Sequence, residues 1–560
     1  MLKLGYESLK DRDAWLAAGV IPPDYDPAAI AEKTKPNPIW MHFGAGNIFR
    51  AYIAALHDKL LSEGRAEKGI IAVETHDPEI IDAAYAPFDN LCISVTMAQD
   101  ADGSADSQRI IGSVSGAYAA ARESDYSEII KAFENPSLQF VSFTITEKAY
   151  VIKGADGEFT AEVAQDLDDA AGQPKNIIVI LAAALYARYK AGGTPIALVS
   201  MDNCGHNGER LRAAVLAAAE YRVGRGFYEG GFLNYISDQS RVSFPWSMID
   251  KITPWPSGAV AERLAAAGIA DMSILKTKKG VVIAPFVNAE ATEYLVVEDK
   301  FPNGRPPLEK AGVIFTDQRT VDLAEKMKVT TCLNPLHTAL AIFGVLFGYK
   351  SISAEMKDPL LLALIKKIGY DEGLPVVLDP GVINPKAFID EVIQKRFTNP
   401  MIPDTPQRIA TDTSQKIPVR YGETVRAYLD MQKMAWLNQN SWHQSAVRHF
   451  YLTGIPLAFA GWLRYLLCVD DELTPYAPSA DPMLETLRGY LKTLTATSGV
   501  NAGPDDVKRI NELIRPILSD RTIFGVDLYE AGIAEKVLTM FVKMLNGPGS
   551  VRKTLTEYLT

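Results

Sequence analysis

Ile39-Trp40-Met41-His42-Phe43, followed by Gly44-Ala45-Gly46-Asn47-Ile48-Phe49-Arg50, is the stretch on which the fold turns. Its first part has the apolar and aromatic make-up of a buried strand. Its second part opens with two glycines. Beyond them Ile48, Phe49, Tyr52, Ile53, Leu56 and Leu60 recur at helical spacing, with Gly64 as a stop. A strand, a Gly-x-Gly turn and a helix make the phosphate-cradling start of a dinucleotide-binding fold. The third glycine of that fingerprint is missing, because Phe49 stands in its place.

Working outward, Gly69-Ile70-Ile71-Ala72-Val73 reads as the next strand and ends in Glu74, 30 residues after Gly44. An acid there can bind the adenosine ribose hydroxyls and would repel a 2′-phosphate, which favours NAD over NADP. A merely solvated strand end is the competing reading. Phe140 to Phe143 reads as a further buried strand, opening into Thr144-Ile145-Thr146-Glu147-Lys148. An alanine-rich helix from Ile177 to Tyr189 and a strand from Pro195 to Val199 follow. That strand empties into Ser200-Met201-Asp202-Asn203-Cys204-Gly205-His206-Asn207-Gly208, a turn whose side-chain amides could overlook a ligand. Phe244 to Pro254 is extended, and Val281 to Glu298 reads as strands. Residues 1–38 are polar with scattered prolines and read as a surface arm or short helices. From about Thr320 helical spacing dominates. The expected fold is therefore α/β: a Rossmann-type nucleotide-binding domain over 1–319, including the arm, then a mostly α-helical substrate and catalytic domain over 320–560.

Composition sets outer limits. With 560 residues the chain is too long for one core. A net charge of -11 argues against a nucleic-acid surface, though not against a local cationic pocket for a small anion. The most apolar runs, Ile177 to Leu185 and Thr338 to Leu346, are core-sized, and no membrane span is expected. Cys92, Cys204, Cys332 and Cys468 are unpatterned, which fits reduced thiols in a cytoplasm and no zinc pair.

A second stretch, Glu325-Lys326-Met327-Lys328-Val329-Thr330-Thr331-Cys332-Leu333-Asn334-Pro335-Leu336-His337, supplies amines, a carboxamide and an imidazole close together. Asn334 reads as an N-cap, with a helix from Pro335 to about Tyr349. Asn334 and His337 then share a side at the helix's positive end. A lysine just ahead of such an end gives up its proton more readily and can act as a general base. A capped core helix with a satisfied histidine is the plainer reading. On one unbroken helix Lys326 would share His337's face and Lys328 would lie opposite, but Pro335 argues against an unbroken helix and so for Lys328.

Taken together these stretches resemble the long-chain polyol dehydrogenase family. The nucleotide loop is similar at Phe43 to Arg50, a TxTEK segment at Thr144 to Lys148, and SxDN…NG at Ser200 to Gly208. The DRITP signature is similar at Asp250 to Pro254, with Lys251 for the usual arginine. LNxxH is similar at Leu333 to His337. The segment from Arg396 through Asp404, Arg408 and Ser414-Gln415-Lys416 resembles the one closing the family's substrate pocket, and Ala460 to Tyr465 is also similar. The family's base lysine precedes the asparagine by five positions, where Val329 stands; Lys328 is six before, as if one residue were inserted.

The resemblance implies an NAD-dependent, zinc-independent oxidoreductase. Gly44, Gly46, Asn47, Ile48, Phe49, Arg50, Glu74, Thr146, Glu147 and Lys148 would hold the cofactor. Lys328 would deprotonate the C2 hydroxyl of an open-chain sugar as hydride leaves that carbon. Asn334 and Asn207 would stabilise the developing alkoxide. His337 would orient the reacting oxygen. Asp250, Arg408, Lys416 and Asn203 would bind the rest of the substrate. Because arginine suits a carboxylate, Arg408 with Lys416 leans the substrate toward a uronate, fructuronate reduced to mannonate, over mannitol, with mannitol 2-dehydrogenase and tagaturonate reductase as the alternatives. Arg408 could instead simply pair with Asp404 or Asp412. No metal, nucleic acid or membrane partner is expected, and the oligomeric state is open between monomer and dimer. A decayed NAD-binding protein and a lysine Schiff-base enzyme are the readings from other classes.

Overall fold

The computed structural model describes residues 1–97, 107–170, 172–437 and 452–560, with only the backbone of 434–437. The chain divides into two compact units, Met1–Asp322 and Leu323–Thr560.

In the first unit six strands form one parallel sheet: β1 (Trp40–Phe43), β2 (Ile70–Glu74), β3 (Val114–Ala119), β4 (Phe140–Phe143), β5 (Ile196–Ser200) and β6 (Val242–Ser243). Their spatial order is β3-β2-β1-β4-β5-β6, that of a dinucleotide-binding fold. Alternation along the strands explains the two covered faces. Met41, Phe43, Ile71, Val73, Val141, Phe143 and Leu198 pack into one core layer. Trp40, Ile70, Ala72, Phe140, Ala197 and Val199 pack into the other. The crossover after β1 starts at Asn47, passes through a π-turn at Phe49–Ile53 and continues as α1 (Ala54–Ser62). Phe49, in place of the third glycine, is fully buried and stacks on His42 of β1 with ring centroids 4.2 Å apart. Between β4 and β5 the chain forms α2 (Ile177–Lys190), and after β5 it forms α3 (Asn207–Gly224).

Residues 1–38 are more than a surface arm. Two short helices, Arg12–Ala17 and Pro27–Thr34, form as expected. However, Leu4, Trp15 and Val20 are buried in a core cluster with Phe88, Ile93 and Phe286. The backbone of Leu2 bonds to Gly268 and Ala270, and that of Ile21 to Gln108 and Ile110. Widely spaced apolar residues in a polar stretch hid this from the sequence.

The described part of the second unit is helical. Gln318–Leu346, whose first residues belong to the first unit, is long and apolar enough by length and composition to cross a membrane, and 72% of its most apolar window is buried within the protein. It has three parts: α4 (Gln318–Met327), a π-turn at Lys328–Cys332, and α5 (Asn334–Leu346). The break at Leu333 comes one residue earlier than expected. Leu333, with φ −128° and ψ −63°, is the N-cap, so Asn334 is the first helical residue rather than the cap, and the helix stops at Leu346. Against α5 lies α6 (Gly454–Tyr465), where a Cβ on Gly461 would stand 2.4 Å from the Phe343 ring. The Glu372 carboxylate accepts the Thr453, Gly454 and Ile455 N–H groups and so caps α6 from outside.

Candidate active site

In the first unit the carboxyl ends of β1, β2, β3 and β4 and the start of α2 surround a cavity of about 1120 Å³. This is where an open parallel sheet binds its ligand, at the switch in strand order. Gly44 takes φ +105°, and a Cβ there would sit 2.2 Å from the Thr144 carbonyl oxygen. Only glycine lets the loop run this close to β4. Nothing lies within 4 Å of a Cβ built on Gly46, so the loop is open there toward a ligand. Glu74 is buried at the end of β2; its carboxylate accepts the N–H groups of His76 (2.7 Å), Asp77 (3.1 Å) and Ala45 (3.2 Å). It therefore ties the glycine loop to the next strand, and Oε2 keeps room for one more donor. Lys148, Lys175 and Lys279 give the wall positive charge.

The loop after β4 is held by a residue the sequence reading left without a role. Asp202 accepts the Ile145 N–H (3.1 Å), the Thr146 N–H (2.8 Å) and the Tyr150 hydroxyl (2.5 Å). Burial pushes the Asp202 carboxyl up from its ordinary range, while these three donors pull it back. The clamp fixes Thr146 at φ +72°, a conformation a β-branched residue rarely adopts. Its signal was present as the aspartate of SxDN.

Several expected cofactor or substrate contacts are placed elsewhere. Asn47, Ile48, Phe49, Arg50 and Glu147 do not line the cavity. Arg50 is 1% exposed and donates to the Ala284 carbonyl (2.7 Å) and the Asn47 side chain (2.9 Å). Glu147 pairs with Arg210 on the surface. Asn207 is fully buried: its amide donates to the Asp202 carbonyl and to Ser247, and accepts from the Ser247 N–H. This saturated amide corrects its expected role as an alkoxide donor. A Cβ on the adjacent Gly208 would meet the Phe244 and Pro245 carbonyl oxygens at 2.6 and 2.8 Å, so the Asn-Gly pair stitches loops together. Asn203 is exposed, and Asp250 is buried at the end of the Ser247–Asp250 strand.

In the second unit, the π-turn sets Lys328 and Lys326 in different surroundings. The Leu333 N–H bonds to the Lys328 carbonyl five residues back (3.1 Å), which accommodates one residue more than an α-turn. One extra residue rotates everything before it by about 100° relative to α5. Lys328 is 2% exposed, whereas Lys326 is exposed. Asn334 and His337 are half-buried on the first turn of α5. His337 Nε2 lies 2.9 Å from Asp404 Oδ2, close enough for an ionic contact but out of line for a hydrogen bond. Burial lowers the imidazole below its ordinary value against the pull of Asp404. Burial opposes ionisation of Asp404 too, but His337 and Arg408 hold its carboxyl below the ordinary range. Arg408 donates to Asp404 Oδ1 through Nε (3.0 Å) and Nη2, while its side chain stays 66% exposed.

Lys416 donates to the carbonyls of Ile409 (3.1 Å) and Thr411, and burial, then Arg420, push it down to about 8. Arg420, which no spacing singled out, donates from Nη1 to the Thr338 hydroxyl (2.6 Å). The second unit thus groups an amide, an imidazole backed by a carboxylate, and several cations about the start of α5.

Residues 38–310 match the family model described as the mannitol dehydrogenase Rossmann domain, and residues 320–541 match the mannitol dehydrogenase C-terminal domain. Over 559 residues the chain is 47% identical to the D-mannonate oxidoreductase of Thermotoga maritima, with 99% of each chain covered. It is 30% identical over 421 residues to the polyol:NADP oxidoreductase of Gluconobacter oxydans, covering 75% of this chain and 80% of that one. The solved structure of Pseudomonas fluorescens mannitol 2-dehydrogenase in ternary complex with NAD and D-mannitol is 28% identical, with a TM-score of 0.68 over 100% of this chain and 99% of that chain.

Proposed function

The chain belongs to the mannitol dehydrogenase family, and on that footing we propose that it is an NAD-dependent oxidoreductase interconverting D-fructuronate and D-mannonate. The observation that carries the substrate is the 47% identity to a D-mannonate oxidoreductase along nearly the whole of both chains.

The cavity at the strand ends fits a dinucleotide. Gly44 and Gly46 would let the backbone approach the pyrophosphate, Glu74 would take a ribose hydroxyl on Oε2, and Thr146 and Lys148 would flank the cofactor from the β4 loop. When bound, NAD accepts a hydride from the substrate carbon, and NADH returns it in the reverse direction.

The second unit would manage the proton and the charge. Lys328, buried in the π-turn, is proposed to take the hydroxyl proton during oxidation and return it during reduction. Asn334, whose amide has no hydrogen-bond partner among the described residues, would donate to the developing alkoxide. An Nε2–H facing Asp404 leaves Nδ1 of His337 to accept from the substrate hydroxyl and orient it. Asn207, its amide already committed, would act only by holding its loops in place. Asp250 and Asn203 are proposed as further substrate contacts.

Following NADH oxidation with D-fructuronate, D-tagaturonate and D-fructose tests the reading. Fructuronate should give the highest kcat/KM. Preference for fructose would make the protein a mannitol 2-dehydrogenase instead, and turnover of none of the three would remove the substrate class.

A further inference from the structure

The sequence reading assigned a substrate carboxylate to Arg408, but the structure spends two of that guanidinium's donors on Asp404. Arg420 is differently placed. It sits in a π-turn, Pro418–Gly422, braced on both sides. Tyr421 is fully buried and donates to the Pro335 carbonyl (2.7 Å), and the Thr424 hydroxyl reaches the Thr330 carbonyl (3.3 Å). A Cβ on Gly422 would lie 2.2 Å from the Phe524 carbonyl oxygen, so the turn packs closely against that backbone and only glycine fits there. Arg420 is therefore fixed against the first turn of α5, the turn that carries Asn334 and His337.

Its guanidinium is short of partners. Nη1 meets the Thr338 hydroxyl, and among the described residues no carboxylate pairs with Arg420. Its Nε and Nη2 edge, the side-on fork that matches two carboxylate oxygens, has no partner among those residues either. Arg420 and Arg408 both repel positive charge on His337 and on Lys416, so the cations lie near enough to share one field. Asp404 pairs with Arg408, and Asp412 and Asp481 act on Lys416, so Arg420 is the cation that no carboxylate answers among the described residues. The positive end of α5 adds to the same field. A partly buried guanidinium without an acid is costly, and burial already lowers Arg420 below its ordinary value, so an anion would complete the site.

We propose that Arg420, together with Lys416, forms the subsite for the substrate's carboxylate, and that Arg420 is the residue by which the enzyme prefers a sugar acid to a neutral ketose. This rests on the oxidoreductase reading above and specifies which residue selects its substrate. The carboxylate would dock on the Nε/Nη2 edge of Arg420, with the Lys416 ammonium beside it, leaving Arg408 to hold Asp404 against His337.

The test compares wild type, Arg420→Gln and Arg420→Lys in NADH-dependent reduction of D-fructuronate and of D-fructose, with NADH affinity measured by fluorescence as the check on folding. Arg420→Gln should lower kcat/KM for fructuronate by about 10²-fold, mostly through KM, and change that for fructose by no more than about threefold. Arg420→Lys should recover part of the fructuronate loss. Equal losses on both substrates would overturn the assignment. If Arg420→Gln does not fold, Arg420→Lys carries the same comparison: a loss of about tenfold confined to fructuronate supports the subsite, and a loss shared with fructose overturns it. A wild-type enzyme that reduces fructose and ignores fructuronate would instead overturn the sugar-acid reading, and this assignment with it.

Discussion

At the scale of single residues, the two lysines of the π-turn region are separated by burial. Lys328 is 2% exposed and Lys326 is exposed. Lys328→Ala should cut turnover by about 10²–10⁴-fold, the usual cost of a lost general base, with NADH affinity nearly unchanged. Lys326→Ala should lose little. Steady-state rates and NADH fluorescence on both variants decide it, and the opposite ranking would make Lys326 the base. Glu355 gives a second residue-scale outcome. It is fully buried, neither carboxyl oxygen has a partner among the described residues, and burial, then Asp404 and Asp358, push its carboxyl from 4.5 up to about 10. The folded protein keeps this group protonated while the unfolded chain ionises it. Stability from this group is thus full below about pH 4.5 and drains as pH rises toward 10. Glu355→Gln cannot ionise in either state. Its advantage over wild type should grow with pH across that window, by at most about 1.4 kcal/mol per unit. Urea melts at pH 5 and pH 8.5 measure it, and a pH-independent difference would show that Glu355 ionises normally in the fold.

At the scale of elements, two wide helical turns carry the arrangement. In the first unit the π-turn Phe49–Ile53 accommodates a phenylalanine where a glycine is usual. In the second, the π-turn Lys328–Cys332 accommodates the extra residue between Lys328, the proposed base, and Asn334. The glycine loop has no such slack. In Gly44→Ala a Cβ would stand 2.2 Å from the Thr144 carbonyl oxygen at a backbone φ of +105°. Either the loop or β4 must move, so NADH binding should weaken by roughly tenfold or more, in line with backbone strain of ~1–3 kcal/mol. Fluorescence titration checks this, and wild-type affinity in the variant would mean that the loop does not contact the cofactor.

At the scale of the whole molecule, a net charge of -11 coexists with a cationic cluster in one unit. The overall acidity says what the protein avoids, and the cluster says what it attracts. Chemistry by a lysine base calls for no Lewis acid. Turnover should therefore survive prolonged dialysis against a chelator, assayed before and after. Loss on chelation with recovery on adding zinc would replace the lysine mechanism with a metal-centred one.

The sequence by itself determined the layered architecture. The apolar run before Gly44, the Gly-x-Gly turn and the acid at Glu74 are local patterns, and period, turn chemistry and spacing are legible along a chain. It also singled out the stretch from Lys328 to His337 as a candidate for chemistry, because the residue types and their order are local too. What only the tertiary structure decided is which of these groups are free. The saturation of Asn207 by Asp202 and Ser247, and the pairing of Arg408 with Asp404, are hydrogen bonds closed in the folded protein. Trp15 is fully buried in an arm that looked solvated, and Arg420 is placed by Tyr421 and Gly422 through contacts with Pro335 and Phe524. Partners separated by 40 to 100 positions, as Asn207 is from Ser247 and Arg420 from Thr338, leave no periodic trace. A side chain's availability depends on who else has already used its donors, and that is settled only when the distant segments meet.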